Sequence, residues 1–143
     1  IGSEGGLICI PWMFNVPVAY ANRIPVTIGG RNPSNVFLPK KLYCVAEKRF
    51  LGFREIYARK ADEWFYSGNY QQGGVEIVNN TPEEILGLVR EMNERIDGRW
   101  QANAEDERLQ ERFRAILPAR IQRCAPLPRI SAEFLRKNPD LLN

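Results

Sequence analysis

The beginning of this chain constrains its fold more than any other part. Residues 1–6 (IGSEGG) join an apolar residue to a glycine-rich turn, residues 7–15 are largely apolar, and residues 16–22 (VPVAYAN) form a short run rich in β-formers. A short apolar run bounded by turn residues reads as a strand buried on both faces. Strand end, turn, helix and buried strand, all within about two dozen residues, form the αβ half of a βαβ unit. Such a unit belongs to a parallel sheet, because parallel neighbours need a crossover connection. Pro11 limits the helix: proline is accepted in a first helical turn and not in an interior. The helix therefore starts near Ile10 or bends there.

Further along, Pro25, Gly29, Gly30 and Pro33 make residues 23–34 a loop. Phe50, Phe53, Ile56 and Tyr57 recur at helical spacing and predict an amphipathic helix over residues 46–62. Residues 75–78 follow the Gly73-Gly74 turn and predict a strand in the same parallel sheet as residues 16–22, with Ile1 at the end of another strand. The strongest helix signal is Thr81-Pro82-Glu83-Glu84, a capping box with proline at the first helical position. Ile85, Leu88, Val89, Met92 and Ile96 continue it as an apolar stripe, and Gly98 ends it. A helix over residues 104–116 has its acids first and two of its arginines last, which suits the macrodipole, and Leu109, Phe113 and Ile116 form its inner face. Pro118, Pro126 and Pro128 punctuate the tail, and Ser131 caps a last helix through Arg136. The expected organisation is a partial α/β domain over residues 1–100 and a helical C-terminal extension over residues 101–143.

Composition removes several classes of function. The hydrophobic share is 44 % and the charged share 26 %, values of a folded globular chain. A net charge of +3 is too small to argue for nucleic acid or an anionic membrane. The absence of histidine excludes histidine-assisted nucleophiles and histidine-ligated metals within this chain. Cys9, Cys44 and Cys124 are odd in number and in no CxxC spacing, which fits reduced thiols and a cytoplasmic setting, including the inner face of a membrane. No apolar stretch reaches the roughly 20 residues of a membrane span. The abrupt opening on Ile1 reads as a cut at a strand end, so half of an active site is expected outside this sequence.

Three places can carry chemistry. In the turn over residues 2–6, glycines allow close backbone approach to a ligand, amides at a helix start favour phosphate, and Ser3 adds a hydroxyl. Glu4 is awkward beside a diphosphate and better suited to accept hydrogen bonds from a sugar or ribose hydroxyl. Residues 31–60 carry eight Lys and Arg against two acids; of these, Lys40 and Lys41, with Asn32 and Asn35, lie in or beside a loop, where binding groups are commonly placed. Arg49, Arg54, Arg59 and Lys60 read as a solvated face, and Glu55 as a partner for Arg59. Trp64, Phe65, Tyr66 and Tyr70 form an aromatic cluster suited to core or partner packing.

These residues carry a resemblance. IGSEGGLICIPWMFNVPVAYANRIP is similar to the C-terminal lobe of GT-B glycosyltransferases, where a Gly-x-x-(Ser/Gly)-Gly turn precedes an apolar helix and a "gvPvayvN" strand. NPSNVFLPKKL, EKRFLGFREI, VEIVNNTPEEILGLVREM and FLRKNPDLL together resemble a sparsely characterised bacterial family of surface-polysaccharide glycosyltransferases. The resemblance implies a Rossmann-like half domain that binds a nucleotide sugar, with diphosphate or sugar contacts at Ser3, Glu4, Gly5 and Gly6. It also implies an N-terminal lobe that brings the glycan acceptor, and a reaction with no obligatory metal or other cofactor. Many GT-B lobes carry a histidine close to this turn; this chain has none, and the catalytic base is unassigned.

The expected function is thus sugar transfer from a nucleotide diphosphate donor to a polysaccharide or lipid-linked acceptor, with this stretch alone inactive. The alternative is a non-catalytic module that docks a protein or an acidic polymer through the basic loop and aromatic cluster. In the first case Phe134, Leu135, Leu141 and Leu142 should be exposed for the other lobe, or covered by a second copy in a homo-oligomer.

Overall fold

The computed structural model describes residues 1–2, 5–26, 32–123 and 127–143. The chain starts as the sequence predicts. Gly2 lies parallel to Tyr20, its N–H donating to the Ala19 carbonyl and its carbonyl accepting from the Ala21 N–H, both at 2.9 Å. A 3₁₀ turn, Gly6–Ile8, leads into the short helix α1 (Cys9–Met13), with Pro11 in its first turn. Strand β1 (Ala19–Arg23) follows.

Strand β2 (Val36–Pro39) is buried at every position and lies parallel to β1. After Lys40 the chain continues directly into β3 (Lys41–Cys44). The run read from sequence as a loop border is therefore one extended segment passing from one sheet into another. Helix 46–62 does not form as predicted. Residues 45–48 make a turn, with Lys48 in the left-handed region at φ 51°, and β4 (Arg49–Phe50) returns antiparallel to β3. Helix α2 (Phe53–Ala58) begins only after Gly52. Phe53, Ile56 and Tyr57 keep their spacing and are buried, whereas Phe50 stacks edge-on against Tyr43 at 5.5 Å.

After a 3₁₀ turn (Ala61–Glu63) and α3 (Ser67–Gln72) comes β5 (Val75–Val78), which pairs antiparallel to β3 and not with β1. This corrects the single parallel sheet expected from the sequence. The reason lies in its exposure: Glu76 and Ile77 are both open to solvent, and such a strand suits an antiparallel edge, not a doubly covered parallel sheet.

Helix α4 (Pro82–Ile96) starts as predicted. Thr81 Oγ1 accepts from the Glu84 N–H at 3.2 Å and Glu84 Oε2 from the Thr81 N–H at 2.9 Å. Its buried stripe is rotated from the apolar one: Glu84, Gly87, Leu88, Glu91 and Met92 face inward, while Val89 and Ile96 do not. Two carboxylates hold that face through bonds. Lys41 Nζ meets Glu84 at 2.9 Å; Glu91 accepts from Arg95 at 2.8 Å, from Ser131 Oγ at 3.1 Å and from the Ala132 N–H at 2.9 Å.

Helix α5 (Ala104–Ile116) is capped by Asn103, with Leu109, Phe113 and Ile116 buried as predicted. The short α6 (Ala119–Gln122) leads to β6 (Arg129–Ile130), which joins the parallel sheet beside β2. Helix α7 (Ala132–Lys137) packs on α4 and α5, and a 3₁₀ turn (Pro139–Leu142) closes the chain. Phe134, Leu135, Leu141 and Leu142 are all buried within this one chain. This overturns the expectation that they stand exposed or covered by a second copy. Glu91 caps the N-terminus of α7, and Arg136 pairs with the buried Asp106, so both ends of that helix are tied down.

The result is an α/β fold with two small sheets, parallel β1-β2-β6 and antiparallel β4-β3-β5. Phe37 on β2 meets Phe113 on α5, with ring centres 6.1 Å apart, and Phe113 meets Phe53 on α2 at 4.9 Å. Among the described residues no helix is long and apolar enough to cross a membrane.

The sheets are joined at one polar corner. Asn22, in the left-handed region at φ 54°, donates its N–H to Asn80 Oδ1 at 2.8 Å, and the Asn80 N–H donates to Asn22 Oδ1 at 2.7 Å. Asn80 Nδ2 also donates to the Pro39 carbonyl at 2.9 Å. Replacing Asn80 by Ala leaves buried partners without bonds, at roughly 1–3 kcal/mol each. Urea unfolding should show a loss of about 2–4 kcal/mol with an unchanged m-value.

Candidate functional site

In a parallel sheet every strand ends at the same edge, and ligands of open α/β sheets bind beyond those carboxyl ends. Here that edge is followed by Ile24 after β1, by Lys40 after β2 and by Ser131 after β6, while Gly2, bridged in parallel to Tyr20, comes before the 3₁₀ turn that opens at Gly6. Gly5 is extended (φ 166°, ψ 161°) and, like Gly6, exposed. A Cβ built at either glycine would meet no heavy atom within 4 Å. The Gly5 carbonyl accepts from the Ile8 N–H at 3.2 Å, which starts the 3₁₀ turn.

Lys40 is half-buried and its N–H donates to the Arg23 carbonyl at 3.0 Å, so its backbone is fixed at this edge. Arg23, read from the sequence as the start of a loop, is the last residue of β1. It is a buried cation, with its guanidinium 5.1 Å from the centre of the Tyr20 ring. Tyr20 in turn accepts a hydrogen bond from Trp12 Nε1, which ties α1 to β1. A buried arginine at a strand end carried no sequence signal beyond its charge.

The sequence candidates divide. Ser3 and Glu4 lie outside the described residues, as do Gly29, Gly30, Arg31, Cys124 and Pro126. Lys40 follows β2 at the carboxyl edge, and Gly5 and Gly6 stand exposed ahead of α1. Asn35 does not: it precedes β2, at the amino edge, and is fully buried. Its Oδ1 accepts from the Val18 N–H at 2.8 Å and its carbonyl from the Arg129 N–H at 3.0 Å, so it ties the starts of three strands. Lys41 is engaged by Glu84 and lies over the Phe50 ring at 5.6 Å. Burial pushes the Glu84 carboxyl up, but the bonds from Lys41 and the Thr81 N–H outweigh it and hold the group below its ordinary value.

Much of the basic window is neutralised locally. Arg49 bonds both oxygens of Glu55, at 2.7 and 2.6 Å, and also meets Glu47, which Arg59 reaches at 3.4 Å. Glu55 therefore pairs with Arg49 and not, as the spacing suggested, with Arg59. In the aromatic cluster Trp64 and Tyr70 pack edge to face at 5.3 Å, while Phe65 and Tyr66 are exposed. Among the described residues no three metal-ligating side chains cluster. A cavity of about 560 Å³ between Arg49, Glu55, Lys137 and Asn143 is walled by these ion pairs; a second, of about 600 Å³, opens at the amino edge of the parallel sheet beside Val16, Pro33 and Trp100.

No protein-family model matches this chain, and no curated protein or solved structure matches it. The fold and the residues at its edges carry the functional argument.

The Arg49–Glu55 geometry fixes a pH dependence. Hydrogen bonds from Arg49 hold the Glu55 carboxyl down to about 2, against an ordinary value of 4.5. A depressed carboxylate stabilises the fold fully above its unfolded value and loses that contribution as pH falls through about 2. A carbon-13 titration of the side-chain carboxyls should place the Glu55 midpoint near 2, and Arg49→Gln should return it toward 4.5. An ordinary midpoint in the unsubstituted protein would rule out the bidentate pair.

Proposed function

We propose that this chain is the nucleotide-sugar-binding part of a GT-B glycosyltransferase, moving a sugar from a nucleotide diphosphate donor to a polysaccharide or lipid-linked acceptor. The observation that carries the reading is the open Gly5-Gly6 turn, which follows the bridge of Gly2 to a parallel sheet, with Lys40 at the carboxyl edge of that sheet. A turn without side chains lets a diphosphate approach the backbone, and a nearby ammonium offsets the charge that grows on the leaving diphosphate. Because α1 has only five residues, backbone access rather than a helix dipole is the working element. In this reading Ser3 donates to a phosphate oxygen and Glu4 accepts from a sugar or ribose hydroxyl. An N-terminal lobe that brings the acceptor would have to dock elsewhere than on Phe134, Leu135, Leu141 and Leu142, which are buried within this chain. The setting is the cytoplasm or the inner face of a membrane, with no obligatory metal.

A second reading, a non-catalytic docking module, is favoured by the exposure of Phe65 and Tyr66. The ion pairing of Arg49, Arg59 and Lys41 weighs against an acidic polymer as its target.

Calorimetric titration of the natural full-length protein with UDP, GDP, ADP and CMP decides between them. One of the nucleotides should bind, more weakly as salt rises. Gly5→Val should abolish binding while leaving the fold intact, since the backbone there is extended and the space beside it open. Ser3→Ala should cost about 0.5–1.5 kcal/mol, the worth of one hydrogen bond. Equal binding by the unsubstituted and Gly5→Val proteins, or no binding by any nucleotide, would contradict the proposal.

A further inference from the structure

Helix α1 was expected to be a covered element of a βαβ unit, yet most of its apolar side chains face solvent. Leu7 and Met13 are each 81 % exposed and Phe14 is 73 % exposed, with Ile10, Trp12 and Val16 about half exposed. Residues 5–22 contain no Asp, Glu, Lys or Arg. The bare surface runs through Val16 into the cavity of about 600 Å³ at the amino edge of the parallel sheet. Its walls include Val16, Pro17, Met92, Ile96 and Trp100, and Ile96 is itself largely exposed. The charged group on this wall, Arg95, is already committed: it bonds Glu91 at 3.0 and 2.8 Å and lies 4.7 Å from the centre of the Trp100 ring. An exposed corner, Met13-Phe14, and a hollow whose arginine is already paired thus share one largely apolar face.

We propose that this face seats a second copy of the chain in a two-fold dimer, the Met13-Phe14 corner of each protomer entering the hollow of the other. Three observations select that occupant. A two-fold interface needs one patch that complements itself, and corner and hollow meet here at Val16. Residues 5–22 bring no charge to the face, and Arg95 in the hollow is paired with Glu91, so little repels its own image. Fully covered, the six exposed side chains would supply on the order of 800 Å², the scale of one partner's share of a standard interface. A membrane fits less well, since an interfacial segment relies on Lys and Arg beside its apolar face and residues 5–22 have none. The substituted residues, Phe14 and Ile96, lie toward the amino edge, and self-association is read without nucleotide, so the test is independent of that reading.

Sedimentation equilibrium of the full chain over a wide concentration range should show a monomer–dimer equilibrium. Phe14→Asp and Ile96→Lys, each with an unchanged circular dichroism spectrum, should each be monomeric. Mixing the two variants should restore a dimer, because one contact is then native and the other pairs Asp with Lys. A protein that stays monomeric throughout, a dimer indifferent to both substitutions, or variants that fail to complement each other would overturn the proposal. Binding of the monomer to uncharged lipid vesicles through Phe14 would overturn it too, in favour of a lipid occupant.

Discussion

The fold depends on the corner where Asn22, Asn80 and Pro39 meet. Between Pro39 and Lys41 a single residue carries the chain out of a parallel sheet and into an antiparallel one. Ladder bonding is interrupted there, and buried backbone groups without partners are costly. Asparagine carries a donor and an acceptor on one side chain, so Asn22 and Asn80 can bond each other's backbone N–H groups while Asn80 also reaches the Pro39 carbonyl. The clasp fixes the end of β1 against the start of α4, and with it the direction in which the parallel strands end. Lys40, next to Pro39 and bonded to the Arg23 carbonyl, takes its position from that constraint.

A second layer of order comes from carboxylates that replace apolar residues on buried faces. Glu84, Glu91, Asp62 and Asp106 are all buried, and each meets a cation with more access to solvent: Lys41, Arg95, Arg120 and Arg136. Glu84 and Glu91 also accept backbone N–H groups at helix starts, which would otherwise lack partners. Burial pushes the Asp62 carboxyl up against the pull of Arg120. Removing one member of such a pair strands a charge, so these groups specify packing as strictly as the phenylalanine cluster does.

This layer explains what could be read in advance. Helix α4 was legible from the local cap of Thr81 with Glu84, and α5 from its acids first, its arginines last and its Leu109, Phe113 and Ile116 face; the Asn103 cap of α5 emerged only in the structure. Strand β1 was legible because a short apolar run has few alternatives. The inward face of α4 was not, since Glu84 and Glu91 look solvent-facing until their distant partners, Lys41 and Ser131, are in place. Lys40 and Lys41 were placed in or beside a loop, and only the pairing of β2 with β1 and of β3 with β5 makes extended structure of this stretch. For the candidate site, residue type marked Lys40, at the carboxyl edge, and the exposed Gly5 and Gly6, but could not separate them from Asn35, whose amide is consumed at the amino edge. Burial is a property of the whole chain and is invisible in a residue's name.

The two edges of the parallel sheet therefore differ in character: Lys40 follows its strands at one, and a largely apolar hollow, its arginine paired with Glu91, opens at the other. The central claim is that the first edge is the ligand edge. Hydrogen–deuterium exchange of the full-length protein, with and without the nucleoside diphosphate that binds, tests it most directly. The account predicts slowed exchange in peptides covering Gly5, Gly6 and Lys40, with no change in those covering Met92 and Trp100. Protection confined to the Met92 and Trp100 peptides would place the ligand at the amino edge and contradict it.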